Sequence, residues 1–336
     1  MRYFVLIGVM IVITATWTGA WFYMSKQVQT AVETFLKKDI PGRKLTYQKL
    51  QISGFPFQIK IIVQRPILIL SGGQRRIRWE TNHIKVARHL WQPRQFFVDL
   101  TGQHLLTLHQ NGQTQRLRHR NDLATSRLET DEKGQFRLLT LDISSPTFEI
   151  DGRSTAQGKR LEIRAKQNSV SIRNLDLMMR GEQFTITEQF MSKKLNTLGS
   201  EIRLIDIHAT ATSIPDDITV EKPVELWRDG GGTLEVRQFR LKWSEVEISA
   251  KGSLSLDFRM RPIGALTAQI KGHEKLIDLV IAGGGLRNKN AFAARAVLGL
   301  LAAAGGGILS VPVRLQDGQL FLGPASIADL PPLELH

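Results

Sequence analysis

From Leu45 onward, apolar and polar residues alternate with a period of two, the pattern of strands with one covered and one wet face. In "FQIKIIV" (57–63), Phe57, Ile59, Ile61 and Val63 fall on one side, and Ile77 and Trp79 do the same in "RIRW". Further strands are predicted at 105–120, 136–143, 147–152, 160–166, 169–179, 183–190 and 201–211. The stretch 233–272 predicts about four more, near "LEVRQF", "RLKW", "EVEISAKG" and "GSLSLDFRM", and the tail 308–323 predicts a hairpin. Asn111-Gly112 and Asp317-Gly318 are two-residue hairpin turns, since Asn, Asp and Gly tolerate the positive φ such turns need. Short connections and few helix-length patterns point to an antiparallel meander rather than βαβ units.

One stretch departs from clean alternation. "GFPFQIKIIVQRPILIL" (54–70) holds only four polar side chains, Gln58, Lys60, Gln64 and Arg65. It is too polar for a membrane span and too long for an ordinary strand. It reads as two strands broken near Arg65-Pro66, with Gly54 and Pro56 setting the bend before the first. A sheet of such strands must bury its apolar face against something. The helical patterns available are only 216–230, 274–283 and 290–305. Either the sheet curls on itself or forms a sandwich, or part of its apolar face is left for a hydrophobic guest. The uncharged run "AVLGLLAAAGGGILSVPV" (296–313) is broken by three glycines, so it predicts a buried helix, a glycine turn and a strand rather than a membrane span.

The N-terminus has a different pattern. "YFVLIGVMIVITATWTGAWFYM" (3–24) is twenty-two residues without a charge, enough for a bilayer core, with aromatic residues crowded at its end. It outlasts a signal-peptide core, so it predicts an uncleaved transmembrane anchor over 1–24; a signal cleaved after "TGA" (18–20) is the competing reading. Val28, Val32, Phe35 and Leu36 then carry a membrane-proximal helix over 25–40, which Pro41-Gly42 stops. The β-rich domain is expected over 41–336, with a possible subdivision near 215–232. More Lys and Arg follow the span than precede it, but long domains translocate regardless of such charges, which favours export of the body.

Charge narrows the partners. Lys and Arg total 45 against 31 Asp and Glu, a net charge of +14 spread along the strands rather than gathered in a tail. Such a chain is drawn to anionic surfaces. No helix-turn-helix, zinc module or RNA-binding aromatic pattern accompanies the charge, so nucleic acid is not the expected partner. Zero cysteines remove disulfides, thiolate metal sites and a Cys nucleophile together. Eight scattered histidines offer no metal-ligand spacing, and neither a nucleophile elbow nor a Walker loop is present. No enzyme, metal or cofactor is expected.

The tail carries a resemblance. "GSLSLDFRMRPIGALTAQIKGHEKLIDLVIAGGGL" (252–286), "VPVRLQDGQLFLGPASIADLPPL" (311–333) and "LQISGFPFQIKI" (50–61) resemble an alphaproteobacterial family of unknown function whose members look like single-span envelope proteins. The layout of anchor, extended β-body and C-terminal hairpin is similar, more loosely, to the AsmA-like envelope proteins, which are associated with β-grooves that hold or conduct lipid. This chain is far shorter than the bridging members. Neither resemblance supplies catalytic residues.

The expected fold is therefore mainly β: an N-terminal transmembrane helix, then a long curved antiparallel sheet or half-barrel with an apolar concave face and helices near the C-terminal end. The expected function is a non-catalytic, single-pass inner-membrane protein whose periplasmic body binds lipid in a β-groove, with Phe57, Ile59, Ile61, Ile67 and Ile69 as candidate lining. The rival is an anchored scaffold or assembly factor that binds another envelope protein along a bare sheet edge.

Overall fold

The computed structural model describes residues 2–37, 40–72, 75–191, 195–215, 223–272, 274–275, 299, 302–303, 306–323 and 325–333. Contacts divide the chain into a first unit, residues 1–136 with 149–152, and a second, residues 137–148 with 153–336. The stretch near 215–232 lies inside the second unit. Mainly antiparallel β-structure is observed, as the alternation predicts.

The first unit opens with α1 (Arg2–Lys37), one unbroken helix rather than two pieces, about 54 Å long at 1.5 Å per residue. Its C-terminal half half-buries Met24, Val28, Val32 and Leu36, a stripe at four-residue spacing, and the helix runs beside β1 (Arg43–Thr46) and β2 (Lys49–Ser53). Its N-terminal half is bare among the described side chains: Tyr3, Phe4, Leu6, Ile7 and the run Val9 to Ile13 are exposed. Among the described residues, no helix is long and apolar enough to cross a membrane. The expected transmembrane span is thus not shown, and what is shown is a helix whose oily half none of the described residues covers.

The strands that follow are β3 (Gln58–Gln64), β4 (Ile67–Gly72), β5 (Arg75–Thr81), β6 (His83–His89), β7 (Gln95–Asp99), β8 (Gly102–Gln110), β9 (Gln113–Asn121) and β10 (Leu123–Thr130). They form two antiparallel ladders. One runs β1–β4–β5–β8–β9 and the other β2–β3–β6–β7–β10. Only one or two residues separate β3 from β4, β5 from β6, β7 from β8 and β9 from β10, so each pair is one long strand with a kink.

The kinks line up as a crease where side chains and backbone close the hydrogen bonds the ladders drop. Arg65 N donates to the Asn82 carbonyl and Leu100 N to that of Ala124, each at 2.8 Å. Thr81 Oγ1 donates to the Gln103 carbonyl, and the Asn121 side-chain oxygen accepts from Gly102 N. Buried Pro66 suits this line, because it has no N–H to leave unpaired. One inserted residue would turn every later apolar side chain to the wrong face unless the sequence compensated. The chain does compensate: the apolar set is odd-numbered in β3 (Ile59, Ile61, Val63) and even-numbered in β6 (Ile84, Val86) after odd-numbered Ile77 and Trp79 in β5.

The second unit contains β11 (Phe136–Ser144), β12 (Thr147–Ile150), β13 (Arg153–Gln157), β14 (Arg160–Gln167), β15 (Leu175–Ile186), β16 (Glu201–Ala211), α2 (Pro223–Asp229), β17 (Leu234–Trp243), β18 (Val246–Leu256), β19 (Pro262–Lys271), β20 (Leu309–Gln316), β21 (Gln319–Leu322) and β22 (Ala325–Asp329). From β14 to β22 each strand pairs antiparallel with the next, and β11 lies on the outer side of β14. Three expectations change here. The predicted strand 169–179 is a turn up to Asn174, closed by Asn168 N to the Asn174 carbonyl at 2.9 Å. The first half of the predicted 183–190 strand is the end of β15, passing through Gln183 at φ 51°, and its second half holds a 3-10 turn at Glu188–Phe190. The stretch 233–272 makes three long strands rather than four, because Ser244-Glu245 and Asp257–Arg261 are the turns and Gly252 lies within a strand.

The best-covered core of this unit sits at β19 and β20, where Ala268, Ile270, Leu309 and Val311 close around Ala302. Ala302 and Ala303 are helical and Gly306-Gly307 form a turn ahead of β20, the order expected for 296–313. The helix expected at 274–283 lies largely outside the described residues, as does most of that at 290–305. α2 is held by Trp227, whose indole N–H donates to the Thr212 carbonyl at 2.7 Å.

Candidate functional site

Register shows what each ladder presents. In the second unit, Ile163, Met179, Ile207, Phe239, Ala250, Ala268 and Val311 lie opposite one another in turn and share one face across seven strands. Their sequence neighbours Arg164, Met178, His208, Gln238 and Ser249 line the other. The sheet is apolar on one side and polar on the other over its whole width. Cover on the apolar side is uneven. Ala268 and Val311 are buried under Ala302, whereas Ile163, Met179, Ile207 and Phe239 remain half-buried.

The first unit repeats the plan. Ile61 lies opposite Ile52 and Val86, and Val86 opposite Val98, so an apolar face crosses one ladder. In the other ladder Leu68, Trp79, Leu106 and Leu117 form a single row. Fully buried apolar residues in this unit are few among those described: Trp21, Ile59, Pro66 and Ala124. Strands of this composition normally bury one face completely, so half-burial along whole strands marks a face short of cover.

The five candidate residues do not meet on one surface. Phe57 is 56% exposed at the loop before β3, Ile59 is 3% exposed, and Ile61 lies between them in exposure on the same side of the strand. Ile67 and Ile69 are on the opposite kind of face: Ile69 pairs with Lys44 and Arg78, and Ile67 with Thr46 and Glu80. Leu68 and Leu70 occupy the apolar side instead. The four-residue run "ILIL" carries no alternation, so its phase shows only once its partners are known.

The polar faces hold shallow clefts. One of 690 Å³ in the first unit is lined by Arg78, Glu80, Thr107, His109, Arg116 and Arg118, among others, and one of 420 Å³ in the second by Arg164, Asp176, His208 and Arg237 among others. Their cations are largely paired. Arg78 meets Glu80 at 2.8 Å, Arg118 and Arg120 share Glu149, and Arg237 pairs with Asp176. Asp206, only 1% exposed, accepts from Arg240 at 2.6 Å, Gln238 at 2.9 Å and His208 at 3.0 Å. Burial alone would push its carboxyl upward, but these donors hold it below the usual carboxylate range. These networks finish the wet side of the sheet. Among the described residues no group of His, Asp and Glu gathers that could hold a metal.

Asp99 gives a pH prediction. Burial raises its pKa, but hydrogen bonds from Thr101 and Lys85 outweigh that and bring it from 3.8 to about 2. A depressed carboxyl stabilises the fold above its unfolded pKa and loses that contribution as pH falls through the folded value. Wild type should thus be more stable than Asp99→Asn at neutral pH, with the gap closing between about pH 4 and pH 2. Urea midpoints of the two proteins across that window check it; a gap independent of pH would refute it.

A model of the family described as an uncharacterized protein conserved in bacteria (DUF2125) matches residues 21–331. No curated protein matches the chain.

Proposed function

This chain belongs to the DUF2125 family of bacterial proteins, and from that premise we propose that it is a non-catalytic envelope protein that holds lipid acyl chains along the apolar face of its sheets. The apolar half of α1 seats the chain in the inner membrane as a signal anchor, and the β-body lies in the periplasm. The observation that carries this reading is the continuous apolar face of β14 to β17, composed like a core yet half-exposed. Acyl chains are the guest such a face favours, since burying apolar area yields about 25 cal/mol per Å² without requiring polar partners. The kinship with AsmA-like lipid-handling proteins and a curved, half-barrel sheet belong to the same proposal. The uncharged run of residues 3–24 supports the anchor, and so do Thr14 and Thr18. Their hydroxyls donate back to the Met10 and Thr14 carbonyls at 2.8 and 2.7 Å, so they need no water.

Two adjacent methionines provide the test. Met179 is on the apolar face and Met178 on the polar one, beside His208. A photoreactive amino acid placed at either position in cells, followed by irradiation and mass spectrometry, should give lipid adducts from 179 and none from 178. Protein adducts from 179 in place of lipid would overturn lipid handling in favour of a scaffold.

A further inference from the structure

Five aromatic side chains gather where α1 meets the first unit's sheet, Trp17 and Phe22 on the helix, Phe55 and Phe57 before β3, and Trp91 after β6; Tyr23, next along the helix from Phe22, makes a sixth. All six are exposed, Trp91 by 62%. They are not loosely placed. The Trp17 indole donates to the Pro56 carbonyl at 3.0 Å, and buried Trp21 donates to that of Gln58 at 3.1 Å, fastening the helix to the loop. Trp21 meets Phe22 and Phe55 edge-on, with ring centroids 5.2 and 5.5 Å apart. Leu90 N donates to the Phe57 carbonyl at 3.1 Å, which sets Trp91 beside Phe57 with centroids 5.9 Å apart, and His89 stacks on Trp91 at 5.0 Å.

A soluble end of a sheet has no use for so many rings held open to solvent. Their chemistry suits one medium: aromatic residues, Trp and Tyr above all, favour the headgroup level of a bilayer, where an apolar body and a polar edge are both satisfied. Two features argue for that occupant here. The collar continues directly from the uncovered apolar side chains of α1, Tyr3 to Ile13. Lys26 and Lys60, both exposed, follow Tyr23 and Phe57 by three residues along the chain, and cationic side chains near such rings favour lipid phosphates.

We propose that this collar is a second membrane contact, which seats the β2–β3 and β6–β7 end of the first unit in the headgroup layer. Acyl chains then pass from the bilayer to the first unit's own apolar face without crossing water. The proposal rests on the anchor reading and adds to it: the anchor says only that α1 enters the bilayer, and the collar says that the loops fastened to it reach the headgroup layer as well.

The absence of native cysteines makes the test direct. Single cysteines at Ile11→Cys, Gln92→Cys and Gln113→Cys are spin-labelled in the full chain, reconstituted into phosphatidylethanolamine and phosphatidylglycerol vesicles. Collisions with oxygen, which partitions into lipid, are compared with those of a water-soluble nickel chelate. The Gln92 label should show a several-fold higher oxygen-to-nickel ratio than Gln113, on the β8–β9 turn. Adding Phe57→Ser and Trp91→Ser should bring it down to the Gln113 value with the circular dichroism unchanged, since both side chains are mostly exposed. Equal, water-like values at Gln92 and Gln113 with a lipid-like value at Ile11 would overturn the collar and leave the anchor standing. A water-like value at Ile11 would sink both.

Discussion

Leu309→Ala lowers the stability of the second unit by about 3 kcal/mol, within the roughly 2–5 kcal/mol seen when a fully buried leucine is cut back and its cavity stays open. Leu309 is 1% exposed in a cluster that closes the apolar face around Ala302, so neighbours on both sides lose contacts. Ile163→Ala removes a comparable side chain from the same sheet face but from its half-buried part, and should cost only about 1 kcal/mol. Urea unfolding of the two variants against wild type, followed by circular dichroism, gives the comparison. Equal losses would mean that the face is covered throughout, and the lipid reading would fall with them.

Gly252→Ala is the other large effect, at roughly 2–4 kcal/mol, because it combines backbone strain with a clash that cannot relax alone. Gly252 stands in β18 at φ 155°, and an added Cβ would collide with the Ala265 carbonyl oxygen of β19. Gly264 makes the reciprocal approach from β19 toward the Ser253 carbonyl, so neither backbone can yield without disturbing the other. Gly112→Ala is the control: its φ is +76°, yet an added Cβ meets open space, leaving only left-handed strain of about 1–2 kcal/mol. Thermal unfolding should rank Gly252→Ala well below Gly112→Ala; a reversed order would show that the close approach of β18 and β19 is not tight.

Turn chemistry and alternation were the readable parts of the fold. Asn111-Gly112 and Asp317-Gly318 close the β8–β9 and β20–β21 hairpins, with both residues at positive φ in each, which only such pairs adopt cheaply. The break at Arg65-Pro66 was equally clear, since proline cannot donate to a ladder. Strand length was less legible. Gly252 and Gly181 look like punctuation but serve as mid-strand positions where another backbone or the Phe184 ring comes close. The faces of Ile67 and Ile69 were hidden for a different reason. They depend on pairing with Lys44 and Arg78, residues 25 and 9 positions from Ile69 along the chain, and a run without polar members carries no phase of its own. The aromatic collar was visible only in part: Trp17, Phe22 and Tyr23 stood out beside the apolar run, but nothing in the sequence places Trp91 next to Phe57.

The unbroken neighbour-to-neighbour pairing from β14 to β22 bears on how the protein is made. Each strand after the first needs only the one just before it, and tight turns close β14 to β15, β17 to β18, β18 to β19 and β20 to β21, whereas β16, β17 and β20 must each wait for a longer connection. Synthesis and assembly can then proceed in the same direction, with no early strand kept waiting for a distant mate. The cost is an unpaired edge that travels with the growing end, and it is dangerous for as long as translation pauses.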